Sequence, residues 1–421
     1  VQPPDGNHLE ESGGDGGMRY TIGQLAEIID GDRGKNYPKQ DEFYPQGYCL
    51  FLNTGNVTKE GLTFEENQFI TKEKDEALRK GKLKRGDIVY TTRGTVGNAG
   101  YYNSNVPYEN VRINSGMVIL RANGEIVDAR FLYQILKSEY YRPYFKQYCT
   151  GSAQPQLPIK NFSQIYLNVP DIITQHRIAD ILSAYDDLIE NNQKQIKLLE
   201  EAARRLYKEW FVDLRFPGYE NTKIVDGVPE GWSKSTVSEV SAVLRRGISP
   251  KYNEKARGIV INQKCIRQTI VSYDEARTQE KKYPAELEMM ESDIVICSTG
   301  AGTLGRVGQI FEAKGNATLD SHVTLIRANE KIGQQSLFWS LKMKQDYLMN
   351  AGKGSTNQLE LSRETIGNCK ILIPEQKIAE QAEKNFVAIH NKMKECSMQI
   401  ARLREVRDLL LPKLMSGEME V

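Results

Sequence analysis

Histidine is scarce in this sequence, and cysteine is spread thin. Four histidines (His8, His176, His322 and His390) stand far apart, and there is no HExxH. The six cysteines (49, 149, 265, 297, 369 and 396) form no CxxC pair. These absences argue against a zinc site or a disulfide scaffold, and for a reducing cytoplasm. No apolar run is long enough to cross a membrane, so no membrane role is expected. Net charge is nearly absent too, at +1. The molecule as a whole is therefore no basic polymer-binder, and any nucleic-acid surface must be a local patch.

Signatures of catalysis are missing or false. Gly300-Ala301-Gly302-Thr303-Leu304-Gly305 fits GxGxxG, with Asp320 at a tempting distance. A dinucleotide fingerprint needs a helix next, whereas Arg306 to Phe311 alternate like a strand. The loop is expected to close a hairpin. Gly352 to Thr356 lacks phosphate-loop spacing. No Asn/Asp-Pro-Pro-aromatic tetrapeptide of the amino-methyltransferase kind occurs. No active site is expected, and no metal.

What the chain does have is length and repetition. Its 421 residues, 39% hydrophobic and 26% charged, suffice for two or three domains with cores. Ile178, Leu182, Tyr185, Ile189, Asn192, Ile196, Leu199, Ala203, Leu206 and Trp210 alternate spacings of 4 and 3. That is a heptad seam, predicting one long helix packed on another. A second seam runs through Ala382, Phe386, Ile389, Met393, Cys396, Ile400 and Leu403. It continues through Val406 and Leu410 with a one-residue slip, because Arg407 takes the strict position. Asn192 on the seam is expected to fix register.

The globular parts before the seams are duplicated. Gly86-Asp87-Ile88-Val89 recurs as Ser292-Asp293-Ile294-Val295, and Gly94-Thr95-Val96-Gly97 as Gly302-Thr303-Leu304-Gly305. Ile113 to Asn123 matches Leu319 to Asn329, and Gly151-Ser152 matches Gly354-Ser355. Each copy then reaches a proline (Pro170, Pro374), a Gln and Ile-Ala. Within a copy, Asp87–Thr92, Ser115–Arg121 and Ile165–Val169 read as strands. Asp128 can cap a helix carrying Phe131, Leu132, Ile135 and Leu136 on one face, with Ser336–Tyr347 as its counterpart. The fold class expected is α+β: two duplicated domains separated by two long helices packed as an antiparallel coiled coil, with pseudo-two-fold symmetry. The boundaries read as a disordered tail at 1–17, a first domain at 18–170 and a first long helix at 171–216. A linker at 217–230, a second domain at 231–374 and a second helix with tail at 375–421 follow.

Basic charge gathers in two runs. Residues 79–93 carry six Lys/Arg against Asp87, and residues 234–257 carry six against Glu239 and Glu254. Either run could be a solvated face. One per copy, beside Gly-rich loops bearing Thr, Asn and Gln, favours DNA, since Lys and Arg neutralise phosphates and Asn, Gln and Arg read base edges. The candidate DNA contacts are Arg33, Lys35, Arg93, Thr95, Asn98 and Gln154 in the first copy. In the second they are Arg245, Arg246, Lys251, Thr303, Arg306 and Asn357, with Arg306 and Asn357 taken to occupy the loops that hold Arg93 and Gln154 in the first. The spacer and subunit interface are assigned to Tyr185, Ile189, Asn192, Ile196, Leu199 and Leu206, with Ile389, Met393, Ile400 and Leu403.

Two variable globules, each followed by a long helix, resemble the specificity (S) subunit of type I restriction–modification enzymes. So do the opening Val228-Pro229-Glu230-Gly231-Trp232, the Asp-Ile-Val strand with its Gly-Thr-x-Gly loop, and the Gly-Ser…Leu stretch leading to Gln…Ile-Ala. The first copy lacks Pro-Glu-Gly-Trp and begins Met18-Arg19-Tyr20. The resemblance implies a non-catalytic subunit with no cofactor of its own. Each domain would read one half of a bipartite site on double-stranded DNA. The helices would set the spacer and dock two modification subunits, which bind S-adenosylmethionine and methylate a flipped adenine. Restriction subunits using ATP and Mg would complete the enzyme. A coiled-coil scaffold whose heads bind a non-DNA ligand is the competing reading.

Overall fold

The computed structural model describes residues 17–151, 154–300, 302–352 and 359–420. The tail reading of residues 1–17 therefore falls almost wholly outside the described residues. Packing divides the chain into two units. One runs to Glu190 and resumes at Ile400, and the other is Asn191–Gln399. Each long helix, Ile172–Tyr207 and Gln376–Met415, therefore contributes a stretch to both units.

The two units repeat one strand order. In the first, a four-stranded antiparallel sheet runs Ala26–Asp30, Met117–Ala122, Ile88–Thr91, Ala99–Tyr101. In the second the order is Ser241–Arg246, Val323–Ala328, Ile294–Cys297, Val307–Gln309. Each unit adds a three-stranded sheet containing one parallel pair, Cys49–Leu52 with Val111–Ile113 and Gly258–Ile261 with Ala317–Leu319. Each also pairs its opening strand with the strand before the long helix, Met18–Thr21 with Tyr166–Val169 and Ser233–Thr236 with Lys370–Ile373. The strands follow the Ile/Val/Tyr runs, whose alternate side chains enter cores on both sheet faces.

The repeated Asp and Arg have a shared physical reason. Arg121 grips Asp87 with two bonds of 3.0 and 2.8 Å, and Asp87 also accepts the Lys84 amide at 2.7 Å. Arg327 grips Asp293 at 2.6 and 2.8 Å, and Asp293 accepts the Met290 amide at 2.7 Å. A fork-to-fork pair fixes the turn entering the sheet in both units.

Asp128 caps helix Ala129–Lys137 by accepting from the amides of Arg130 and Phe131. Its counterpart is Gln334–Met343, and each is followed by a second short helix, Arg142–Lys146 and Gln345–Asn350, so the stretch Ser336–Tyr347 read as one helix is divided between two. Asp171 caps the first long helix through the Ile173 and Thr174 amides. The helix stops at Tyr207, followed by one wider turn at Lys208–Val212, and Leu214 then adopts a left-handed φ of 56°. The expected end was residue 216.

Within the first unit, Ile178, Ala179 and Leu182 pack with Leu411 and Leu414. Within the second, Ala203 and Tyr207 share a core with Ile378, Ala382 and Phe386. The start of one helix meets the end of the other in each unit, which is antiparallel pairing. Of the seam residues, Ile189, Asn192, Met393 and Ile400 are buried, while Tyr185, Ile196, Leu199, Leu206, Ile389 and Leu403 are half-buried. The expected slip at Val406 is corrected. Val406 is 41% exposed, and Arg407 holds the seam by pairing with Asp186 at 2.7 Å.

Candidate nucleic-acid interface

In the first unit the hairpin loop after Thr91 is shaped by Gly94 and Gly97, at φ 72° and 99°. Only glycine adopts such angles without strain. The Arg93 amide donates to the Gly116 carbonyl at 3.1 Å, and Arg93 forms a bridge with Gln156. Arg33 donates to the neighbouring Ser115 carbonyl at 3.3 Å and to Asp30 at 3.2 Å. Arg33, Arg93 and Thr95 thus stand exposed along one rim, with Gln154 exposed two residues before the Gln156 bridge. Lys35 is exposed in the turn following Arg33.

Asn98 does not belong to that rim. It is buried, its amide donates to the Val57 carbonyl at 2.9 Å, and Arg142 reaches its oxygen at 3.5 Å. A side chain so occupied holds the hairpin together and presents nothing to a base.

In the second unit Gly300–Gly305 closes an antiparallel hairpin between Ile294–Cys297 and Val307–Gln309. Asp320 is buried there and accepts the His322 amide at 2.9 Å; burial raises its carboxyl pKa. Ala301 lies outside the described residues. This loop is two residues longer than its counterpart, and Arg306 lies in it as expected, though not at the place of Arg93. Gly97 donates to Thr91 and Thr91 to Asn98, just as Gly305 donates to Cys297 and Cys297 to Arg306. Arg306 therefore corresponds to Asn98, and the residue matching Arg93 is Thr299, whose hydroxyl contacts His322 Nδ1 at 2.7 Å. Thr303 donates its hydroxyl to Gln263 at 2.8 Å. Asn357 lies outside the described residues.

The basic runs are less free than their sequence suggests. Lys82 pairs with Asp75, and Arg85 with Glu109. In the second run Arg245 pairs with Glu286, Arg246 with Glu360 at 2.7 Å, and Lys251 with Glu280. That last hydrogen bond raises the Lys251 pKa. Sequence reading missed Arg363, which stands beside Arg245 and Arg246 but belongs to no charge run. Among the described residues no cluster of three His, Cys, Asp or Glu could hold a metal, and no helix is long and apolar enough to cross a membrane.

The family model described as the type I restriction modification DNA specificity domain matches residues 16–201 and 229–394. The chain is 27% identical to the type I restriction enzyme HindI specificity subunit of Haemophilus influenzae, over 92% of this chain and 98% of that protein. It is 26% identical to the MjaIX specificity subunit of Methanocaldococcus jannaschii, over 82% and 81%. The crystal structure of a type I restriction–modification S subunit from M. genitalium covers 98% of this chain at a TM-score of 0.55 and 17% identity, with 99% of that chain covered, a likeness of fold.

Proposed function

The chain belongs to the type I restriction–modification DNA specificity family, and from that premise we propose that each unit reads one half of a bipartite DNA site. The observation that carries the reading is the single strand order built twice, once per unit. A protein that recognises two different half-sites needs two homologous frames carrying different loops, and the loops of these frames do differ. The first exposes Arg93 where the second has Thr299 bonded to His322. Phosphate contacts come from Lys and Arg, and base contacts from the adaptable loop side chains.

In this reading the chain has no catalysis of its own. The two long helices set the unread spacer and dock two modification subunits, which supply S-adenosylmethionine-dependent adenine methylation. Restriction subunits supply ATP- and Mg-dependent cleavage. The test is a head exchange. Residues 18–170 are replaced by those of another family member, and the methylated sites of a host expressing the chimera with its modification subunit are sequenced. One half of the site is expected to change while the other half persists. A change in both halves, or in neither, would overturn the proposal.

A further inference from the structure

An open cleft of about 410 Å³ lies on the second unit. Arg245 and Arg246, at the end of strand Ser241–Arg246, form one wall, and Arg363 stands at its edge. Pro284 and Leu287 make an apolar side. The strand arginines are anchored in place. Glu286 holds Arg245, while Arg246 reaches Glu360 and donates to the Leu361 carbonyl at 3.0 Å. Arg245 still leaves 49% of its side chain exposed. Arg363 is exposed, and among the described residues no carboxylate pairs with it.

The first unit carries different residues at the matching strand positions. Arg245 pairs across the sheet with Leu325 and Arg246 with Thr324; the matching positions, opposite Ile119 and Val118, are Ile29 and Asp30. One frame thus carries two arginines where the other carries an apolar residue and a carboxylate.

Resting on the DNA reading above, we propose that this cleft grips the sugar–phosphate backbone beside the half-site read by the second unit, with Arg363 as its phosphate donor. A guanidinium fork matches phosphate geometry, and the Pro284–Leu287 side suits the apolar face of a deoxyribose. Among the described residues that line the cleft there is no Asn or Gln to read a base edge. The contact therefore supplies grip and register, and the first unit must grip its own half by other residues.

The experiment measures full-length chain binding to two labelled duplexes. One carries the site found by methylome sequencing and the other a scrambled sequence, with salt varied between about 50 and 200 mM. One phosphate contact contributes a slope of about 0.9 in log affinity against log salt, so at about 0.1 M its loss costs about eightfold. Arg363→Gln is expected to lose that factor equally on both duplexes and to flatten the slope by about one. Arg363→Lys, which keeps the charge, should retain most of the affinity. Lys392→Gln, removing an equal charge from the second long helix, should change little. A loss confined to the site-bearing duplex would overturn the backbone assignment, and no loss would overturn the cleft. A wild-type chain that bound neither duplex would instead overturn the DNA reading itself.

Discussion

Helix Ala129–Lys137 in the first unit and helix Gln334–Met343 in the second occupy the same place in the repeated frame, yet at one matched contact they meet the long helices through different chemistry. The first does so through charge. Gln134 and Lys137 donate to Asp186 at 2.7 and 3.0 Å, and Arg407 joins them. Counting from the Ile-Ala that opens each long helix, the position of Asp186 is taken by Phe386 in the second unit. Phe386 is fully buried and stacks with Trp339, which replaces Gln134, at 6.2 Å. One lysine survives in both units. Lys137 has its carboxylate, while Lys342 donates to the Val307 carbonyl at 2.8 Å and to Gln345 at 3.3 Å. A duplicated backbone therefore does not imply duplicated energetics. The frame tolerates a polar cluster or an aromatic one at this contact with the long helix.

The sharpest way to break this comparison is Asp186→Ala. It leaves Lys137 buried without its carboxylate and Arg407 with Asp408 alone, and breaking such a buried pair costs about 3–5 kcal/mol. Burial alone would raise the Asp186 carboxyl pKa, but Lys137 and Arg407 outweigh it and hold the group below its ordinary 3.8. A depressed carboxyl contributes stability that is full above that ordinary value and is lost as pH falls through the folded one. Hydrogen exchange in Ala129–Lys137 should therefore accelerate in the variant at neutral pH, and in acid the wild type should approach it. Exchange in Gln334–Met343 should not respond. Equal acceleration in both helices would refute a cluster confined to the first unit.

Lys342→Met sharpens the comparison with the opposite sign. Burial pushes the Lys342 ammonium down to about 8 from 10.5. The unfolded chain keeps that proton to higher pH than the folded one, so between these values wild-type stability rises with pH. Below about 8 the full cost of burying the charge is present. Methionine should therefore stabilise the second unit by roughly 1–3 kcal/mol at pH 7, and the advantage should fade above about pH 10. Denaturant unfolding followed at both pH values measures it. A destabilised variant at pH 7 would mean that the bond to Val307 outweighs the buried charge.

Local signals were the legible ones. The strands around Ile88 and Met117, the Asp128 cap and most of both seams follow from residue order, because periodicity and capping act within a few residues. What escaped depends on partners distant in sequence. Arg246 finds Glu360, and Arg407 finds Asp186, 221 residues away. Neither pairing leaves a local trace, so a charge run was read as free and a seam as slipped. Arg306 does lie in the loop that matches the one holding Arg93, but at the place of Asn98, as the Gly-Thr-x-Gly alignment itself gives. The two extra residues of the second loop lie before that motif, as the spacing from Asp87 to Gly94 and from Asp293 to Gly302 already shows, and the backbone bonds of Thr91 and Cys297 agree. Asn98 was read as a loop amide because nothing local announces the Val57 carbonyl.

The smallest expected effect concerns how the two matched helices begin. Asp128 caps the first from its own side chain, at 2.9 and 3.0 Å. The residue in that place in the second is Gly333, and the cap comes from Glu383 on the long helix. Glu383 accepts the Gln335 and Ser336 amides at 3.0 and 2.8 Å. A Cβ on Gly333 would stand 2.1 Å from the Glu383 carboxyl carbon, so the glycine makes room for the borrowed cap. Asp128→Ala and Glu383→Ala should each cost about 1 kcal/mol, as lost caps do. Gly333→Asp, which copies the first unit's solution, should also destabilise, because two carboxylates then contend for one helix start. Combined with Glu383→Ala it should recover, since the new aspartate inherits the free amides. A double-mutant cycle read by denaturant unfolding measures this, with coupling of at least about 0.5 kcal/mol expected between residues in contact. Additive losses would mean that the two caps are independent and that the glycine serves some other need.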